Sequence, residues 1–504
     1  MASDAPVSKV PHHGLITMSL MMATIMQTLD NTIANVALPH IQGSLSATQE
    51  QMSWVLTSYI VASAVAIPFT GWLSGRIGRK KVLLGSILGF TVTSVLCGVA
   101  QTLPQIVMFR LLQGISGAAL IPMSQAALLA INPPERHGRA MSIWVMGVTI
   151  GPILGPALGA WLTDQFSWRW VFYVNVPIGL LCYLGLSRFL TESTTRRSRF
   201  DFVGFATLSI AILTLQTMLD RGQLKDWFSS TEIRIEGACA LIAAYLFAVH
   251  SATTREPFID LRIFKDRNFF IGNIFLLMIG ALLFGPLALL PAMLQDLLNY
   301  PVLTAGLLTA SRGLGTLAST LVLKRMLQYL DPRVVIGIGF ISTGIGMWQM
   351  CQSSLQMPQS PVFWAGLWQG FGLGLAYVPL VTASFGTLSA RYLNEATSVS
   401  SLVRNLGSSI GIAGVQALFV RNTQIMHARL SEHVTPYAAH VHDMHNLTST
   451  AGLIAMNGDV TQQATMMAYN NVFKLMFILS MLCVPLVLLL RKAGAGRPVT
   501  VVAE

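Results

Sequence analysis

Apolar runs of about 20 residues, separated by short polar or basic stretches, recur from one end of the chain to the other. They predict membrane-crossing helices over 15–38, 51–72, 82–101, 105–131, 139–163, 169–190, 202–219, 235–253, 270–293, 302–323, 333–352, 361–384, 396–420 and 470–490. That amounts to about 14 spans, an all-α polytopic membrane protein. Before the first span lies a short polar tail, 1–14, without the basic start, short apolar run and cleavage site of a signal peptide. The last span is followed by a second tail, 491–504.

An even number of spans puts both tails on one side, and alternate loops then differ sharply in charge. One set holds Arg76, Arg79, Lys80 and Lys81, then Arg136 and Arg139, Arg196, Arg197 and Arg199, Arg255, Arg262, Lys265 and Arg267, Lys324 and Arg325, and Arg491 and Lys492. With boundary residues this face collects roughly 22 of the 32 Lys and Arg, which makes it the cytoplasmic face.

Composition agrees: 53% of residues are hydrophobic and only 11% charged. The net charge of +11 does not indicate nucleic-acid binding, because the basic residues sit in loops between spans without interleaved aromatics. The five cysteines are dispersed and form no CxxC pair, so neither a disulfide framework nor a zinc site is expected. No GxSxG, Walker A, HExxH or Cys–His arrangement stands in the structural context that its chemistry needs, so neither an enzyme nor a cofactor is expected.

A weak repeat divides the chain. The stretch 73–90 (LSGRIGRKKVLLGSILGF) aligns with 323–340 (LKRMLQYLDPRVVIGIGF) as a span, basic loop, span pattern. Gln113-Gly114 matches Gln369-Gly370, and Gly147 and Gly151 match Gly407 and Gly411. Slowly drifting offsets of about 250–260 residues are what a duplicated six-helix unit leaves after small insertions. The expected organisation is a bundle over 15–190, two inserted helices within 191–269, and a second bundle over 270–490. The second bundle includes the outer loop 421–469, which holds His427, His433, His440, His442 and His445. That loop reads as solvated or partner-docking, since acidic or cysteine co-ligands for a metal do not fall in a clear pattern.

Against this background Asp30 stands out, since a charged side chain at the centre of a span costs roughly 2.5–3.5 kcal/mol on insertion scales. A carboxylate kept there is suited to taking up and releasing a proton. Arg110, three residues before Gln113 in the fourth span, is as costly and needs a polar cavity or a partner. Arg404 lies in a similar position, whereas Arg312 and Lys474 read as snorkelling residues or misplaced span ends. The fifth span carries Gly147, Gly151, Gly155 and Gly159 along one side, with Pro152 and Pro156 each following a glycine. Such a stripe admits another backbone closely, and is expected to be the surface on which the two bundles meet and part. Gly71, Arg76, Gly78 and Arg79 belong to a glycine-rich basic turn after the second span. Polar or polarizable candidates for contact with a transported molecule are Gln27, Met26, Gln113, Gln125, Gln369, Tyr377, Arg404 and Asn405.

Several of these segments resemble the major facilitator superfamily, in particular its 14-span drug–proton antiporters of the EmrB/QacA type. The resemblance is carried by LDNTIANVALP (29–39), GWLSGRIGRKK (71–81), RLLQGISG (110–117), GVTIGPILGPALG (147–159), WRWVFYVNVPIG (168–179) and EPFIDLRIFKDRNF (256–269). The stretch LDRGQLKDWFSSTEI (219–233) is similar to the EmrB branch. One departure is Gly75, where the superfamily usually has an aspartate that latches one conformation.

The resemblance implies two six-helix bundles plus two inserted helices, rocking about a central cavity and exporting lipophilic compounds in exchange for protons. It also implies a Gram-negative inner membrane, a periplasmic adaptor and an outer-membrane channel as partners. A proton-coupled nutrient importer of the same superfamily, a non-transporting membrane sensor and a channel are the alternatives.

Overall fold

The computed structural model describes residues 12–47, 49–133, 136–192, 200–388, 392–434 and 450–491. Among them there are helices and no strand. Most of the two tails, Arg196, Arg197 and Arg199, and His440, His442 and His445 lie outside the described residues, as does the side chain of Pro152.

The first half comprises α1 (His13–Leu45), α2 (Gln49–Ile77), α3 (Arg79–Val99), α4 (Leu103–Gly117), α5 (Leu120–Ile131), α6 (His137–Gln165), α7 (Trp170–Tyr173) and α8 (Asn175–Phe189). Then come α9 (Phe202–Arg221) and α10 (Thr231–Thr253). The second half comprises α11 (Arg267–Ala292), α12 (Val302–Tyr329), α13 (Pro332–Met350), α14 (Gln359–Phe385), α15 (Leu393–Ser431) and α16 (Thr450–Leu486). Among the described residues, eight helical segments are long and apolar enough to cross a membrane on length and composition. The remaining stretches expected as spans fall on α1, α6, α12, α13, α14 and α15.

Two expected spans are broken helices, and each break has a proline behind it. Pro122 has no N–H to donate to the carbonyl of Ala118, so the chain turns between α4 and α5. Pro177 likewise cannot donate to Tyr173, and the helix is interrupted at Val174. The segment expected as loop 421–469 differs more. α15 continues to Ser431 and α16 starts at Thr450, with His427 Nε2 3.1 Å from Asn457 Oδ1 between them. Residues 421–431 contain neither Gly nor Pro, so the helix persists past its apolar part.

Helix pairing repeats between the halves. α1 packs on α6 as α11 packs on α15, α2 on α4 as α12 on α14, and α3 on α8 as α13 on α16. The pair α9–α10 docks through α9 against α2 and α15, where Gln216 Nε2 donates to Ser409 Oγ at 2.8 Å. Only 22% of the apolar stretch of α9 and 17% of that of α10 is buried, against 72% for 54–77 in α2. Leu241, Ile242 and Tyr245 of α10 are exposed, as side chains facing lipid are.

The glycine stripe of α6 does not lie between the halves. A Cβ on Gly147 would meet Met21, one on Gly151 would meet Thr28 and Leu29, and one on Gly155 would meet Thr32 and Ile33. Gly159 faces Ile33. All of these belong to α1, so the stripe brings two helices of the same half into backbone contact, and Thr32 Oγ1 donates to the Gly151 carbonyl across it at 3.2 Å. Gly407 and Gly411 do the same for α15 against Leu277 and Ala281 of α11. The opposite side of α6, with Trp144, faces α12 and α14.

Candidate functional site

Asp30 is fully buried on α1, and what surrounds it is a set of hydrogen-bond donors. Arg110 Nη1 on α4 donates to its Oδ2 at 2.6 Å. Gln113 Nε2, one turn along α4, donates to Oδ1 at 3.1 Å, and Asn175 Nδ2, at the first position of α8, donates to Oδ1 at 2.9 Å. Ser94 Oγ on α3 accepts from both amides, at 2.7 Å from Gln113 and 2.9 Å from Asn175. Arg110 is held in turn by Gln113 Oε1 at 2.8 Å and by the Val55 carbonyl at 3.3 Å. Its guanidinium lies over the ring of Tyr59, 4.2 Å from the centroid, with Phe172 on another side. The charges therefore cancel inside a closed polar knot, the one arrangement in which burying both is affordable. Arg110 and Gln113 meet because they are three residues apart on one helix. Gly114 lets the α2 backbone at Tyr59 approach α4 closely.

Asn175, Ser94 and Tyr59 complete this knot and were not among the residues expected from sequence. The signal for Asn175 was present in its position beside Pro177, since a helix break frees a polar side chain to point at a neighbour. Ser94 and Tyr59 carry no such signal.

Several expected contact residues turn out to be committed elsewhere. Gln113 belongs to the knot. Gln27 Oε1 accepts the Ile121 backbone N–H at 3.1 Å, a donor left without its usual partner by the α4–α5 break. Gln125 Nε2 reaches Met141 Sδ at 3.8 Å, and Met26 is fully buried in the core. Gln369 accepts from Arg312 Nη2, and Arg312 Nη1 donates to the Leu283 carbonyl at 3.2 Å. Arg312 is thus buried in the middle of α12 rather than snorkelling, whereas Lys474 is exposed. Asn405 is half-buried on α15. Tyr377 and Arg404 do come together at the seam between the halves. The Tyr377 ring stacks on Trp144 of α6 at 5.9 Å, and the Arg404 guanidinium lies over the Trp144 ring, 5.9 Å from its centroid.

The glycine-rich turn latches that seam at its basic end. Arg79 donates from Nε at 3.1 Å and Nη2 at 2.7 Å to Asn394 Oδ1 on α15. A Cβ on Gly71 would lie 3.0 Å from Ser398 Oγ, and Thr70 Oγ1 is 3.4 Å from the same hydroxyl. Gly78 has φ 96°, which favours glycine, and Arg76 lies over Trp72. Gly75 has open space around it, so the latch to the second half closes without an acid at that position.

Paired, internally repeated helical halves, the first of them enclosing a sealed ion pair, define a multi-pass membrane transporter. The chain belongs to the Major Facilitator Superfamily, whose family model matches residues 20–412. It is 35% identical over 492 residues to fatty acid resistance protein FarB of Neisseria gonorrhoeae, covering 96% of this chain and 97% of that protein. It is 36% identical over 468 residues to multidrug export protein EmrB of Escherichia coli K12, covering 91% of each. Among solved structures it shares its fold with the human organic anion transporter MFSD10, with a TM-score of 0.59 at 13% identity over 93% of this chain and 100% of that one.

Proposed function

We propose that this chain is a multidrug exporter of the EmrB type, driven by protons through Asp30. The observation that carries the reading is the sealed Asp30–Arg110 pair inside the membrane region, in a chain more than a third identical to EmrB. The reading takes the basic face as cytoplasmic, with both tails on that side and about 14 spans in a bacterial inner membrane. The latch at Arg79 and Asn394 then corresponds to a state closed toward the cytoplasm.

In that state a proton from outside is drawn inward, the membrane potential contributing about 2.3 kcal/mol per charge at 100 mV. To accept it, Asp30 must give up the Arg110 bond, since protonation removes the charge that holds the guanidinium. The neutral acid then needs an acceptor. Asn175 Oδ1 is buried without a hydrogen-bond partner, and turning its carboxamide over supplies one. Breaking the knot frees α4 and α8 relative to α1, which is the kind of local two-state change that alternating access requires. Proton release on the cytoplasmic side accompanies loading of a lipophilic compound at the Trp144–Tyr377–Arg404 seam.

A periplasmic adaptor and an outer-membrane channel fit the same reading. The polar ends of α15 and α16 extend beyond their apolar stretches and leave Leu453 and Ile454 exposed for a partner to cover. The decisive measurement is drug efflux from proteoliposomes under an imposed pH gradient, comparing wild type with Asp30→Asn. Gradient-driven efflux is expected from wild type alone, and equal efflux from both would remove Asp30 as the coupling site.

A further inference from the structure

The second half carries buried positive charge that nothing among the described residues neutralises. Arg404 on α15 and Arg312 on α12 are each 5% exposed. Unlike Arg110, neither has a described Asp or Glu within the 4.0 Å of a salt bridge. Arg312 is partly satisfied by the Leu283 carbonyl and the Gln369 amide oxygen. Arg404 donates no side-chain hydrogen bond among the described residues, and its contact with Trp144 is to the ring face.

Two further donors around it are equally unused. Trp144 Nε1, on α6 of the first half, is buried with no acceptor among the described residues. Ser400 Oγ is buried with no partner, and Ser400 lies four residues before Arg404, on the same side of α15. A guanidinium, an indole N–H and a hydroxyl, none with a described acceptor, thus lie on two helices that the Arg404–Trp144 contact joins across the halves. Trp144 and Tyr377 belong to one apolar cluster with Val145, Val148, Leu373 and Leu380, so the surroundings suit a hydrocarbon or aromatic body.

Burying an unpaired guanidinium in a membrane is costly, and a neutral acceptor does not offset the charge. A carboxylate does, and its two oxygens match the planar fork of arginine. We propose that Arg404, with Trp144 Nε1 and Ser400 Oγ, is the recognition site for the acidic headgroup of amphiphilic organic carboxylates. The inference rests on the export reading for its physiological role, but the site itself is testable without transport. Because Arg404 belongs to the second half and Trp144 to the first, a bound carboxylate bridges the seam.

The test is calorimetric binding to the purified full chain in lipid nanodiscs at neutral pH, using naphthylacetate and its uncharged isostere naphthylacetamide. Wild type is expected to bind the carboxylate about tenfold or more tightly than the amide. Arg404→Gln is expected to abolish that preference. Arg404→Lys keeps part of it, and Ser400→Ala, which disturbs packing little, lowers carboxylate affinity alone. Equal affinity of wild type for both ligands, failure to bind either, or an equal loss for both in Arg404→Gln overturns the anion site. Should Arg404→Gln not fold, the Lys and Ala variants decide the matter in the same way. Efflux of both compounds without a carboxylate preference would leave export standing and remove the site. Selective carboxylate binding with no efflux by wild type would do the reverse.

Discussion

Replacing Asp30 by asparagine changes one oxygen to an NH2 group, yet the structure makes it an expensive substitution. Asp30 accepts from Arg110, Gln113 and Asn175, all of them donors. The asparagine retains one acceptor oxygen and points its NH2 at groups that can only donate in their present orientation. The larger effect is on Arg110, which is 1% exposed and loses its only described carboxylate partner. Removing one member of a buried ion pair costs about 3–5 kcal/mol, mostly from the stranded charge. The double variant Asp30→Asn/Arg110→Gln no longer strands it and is expected to recover most of that loss. Equilibrium unfolding in mixed micelles across the four proteins of the cycle measures the coupling directly, with at least about 2 kcal/mol expected. If each single variant costs under about 1 kcal/mol and the two effects simply add, the knot does not hold the first half together. The cycle also separates stability from coupling: the double variant is expected to fold well and still fail to use a pH gradient.

Four other outcomes follow from the packing. Gly151→Ala puts a Cβ 2.5 Å from the Thr28 carbonyl carbon and 2.6 Å from Leu29 N, so α1 and α6 must separate. Thermal stability is expected to fall by about 1–3 kcal/mol with membrane insertion intact, as measured by fluorescence-detected gel filtration after heating. Gln27→Ala orphans the Ile121 N–H at the α4–α5 break and is expected to cost about 1–3 kcal/mol in the same assay. Arg79→Ala releases Asn394, so a cysteine placed at Ser398 is expected to react faster with a water-soluble maleimide than in the parent. At Asp201, burial pushes the carboxyl upward. The Gly204 N–H, His250 and the Phe258 N–H outweigh that and hold it below the usual carboxylate range. Its stabilisation is therefore complete above about pH 4 and is lost as pH falls through the lowered value. Unfolding followed from pH 6 downward is expected to show an acid-sensitive step in wild type that Asp201→Asn lacks.

What the chain revealed before folding depended on how unusual each residue was in its setting. Asp30 and Arg110 were legible because a charge inside an apolar run has few explanations, and the structure places them 2.6 Å apart. Asn175, Ser94 and Tyr59 were not, because neutral polar residues are common in spans and only convergence of α2, α3 and α8 gives these a task. Gln27 was misjudged for a related reason. Its use depends on a break created far away in sequence by Pro122, and a glutamine facing a stranded N–H looks like any other glutamine. The glycines of α6 indicated close approach correctly but not its partner, since a stripe specifies a distance and leaves the opposing helix open. Arg312 was taken for a residue reaching the interface, whereas Gln369 and the Leu283 carbonyl hold it inside. The helical extension through 421–431 was hidden because hydropathy marks where a bilayer ends, and backbone hydrogen bonding has no reason to stop there.

The clasp between Arg79 and Asn394 bears on how lightly this machine is locked. A carboxamide holds the guanidinium with a hydrogen bond to a charged donor, worth about 1.5–3 kcal/mol, and exposes no new anion when the contact breaks. Arg79 can then turn to phosphate headgroups alongside Lys80 and Lys81, while the amide simply meets water. Parting from Asn394 leaves Arg79 beside the Glu192 carboxylate of its own half, which moves with it.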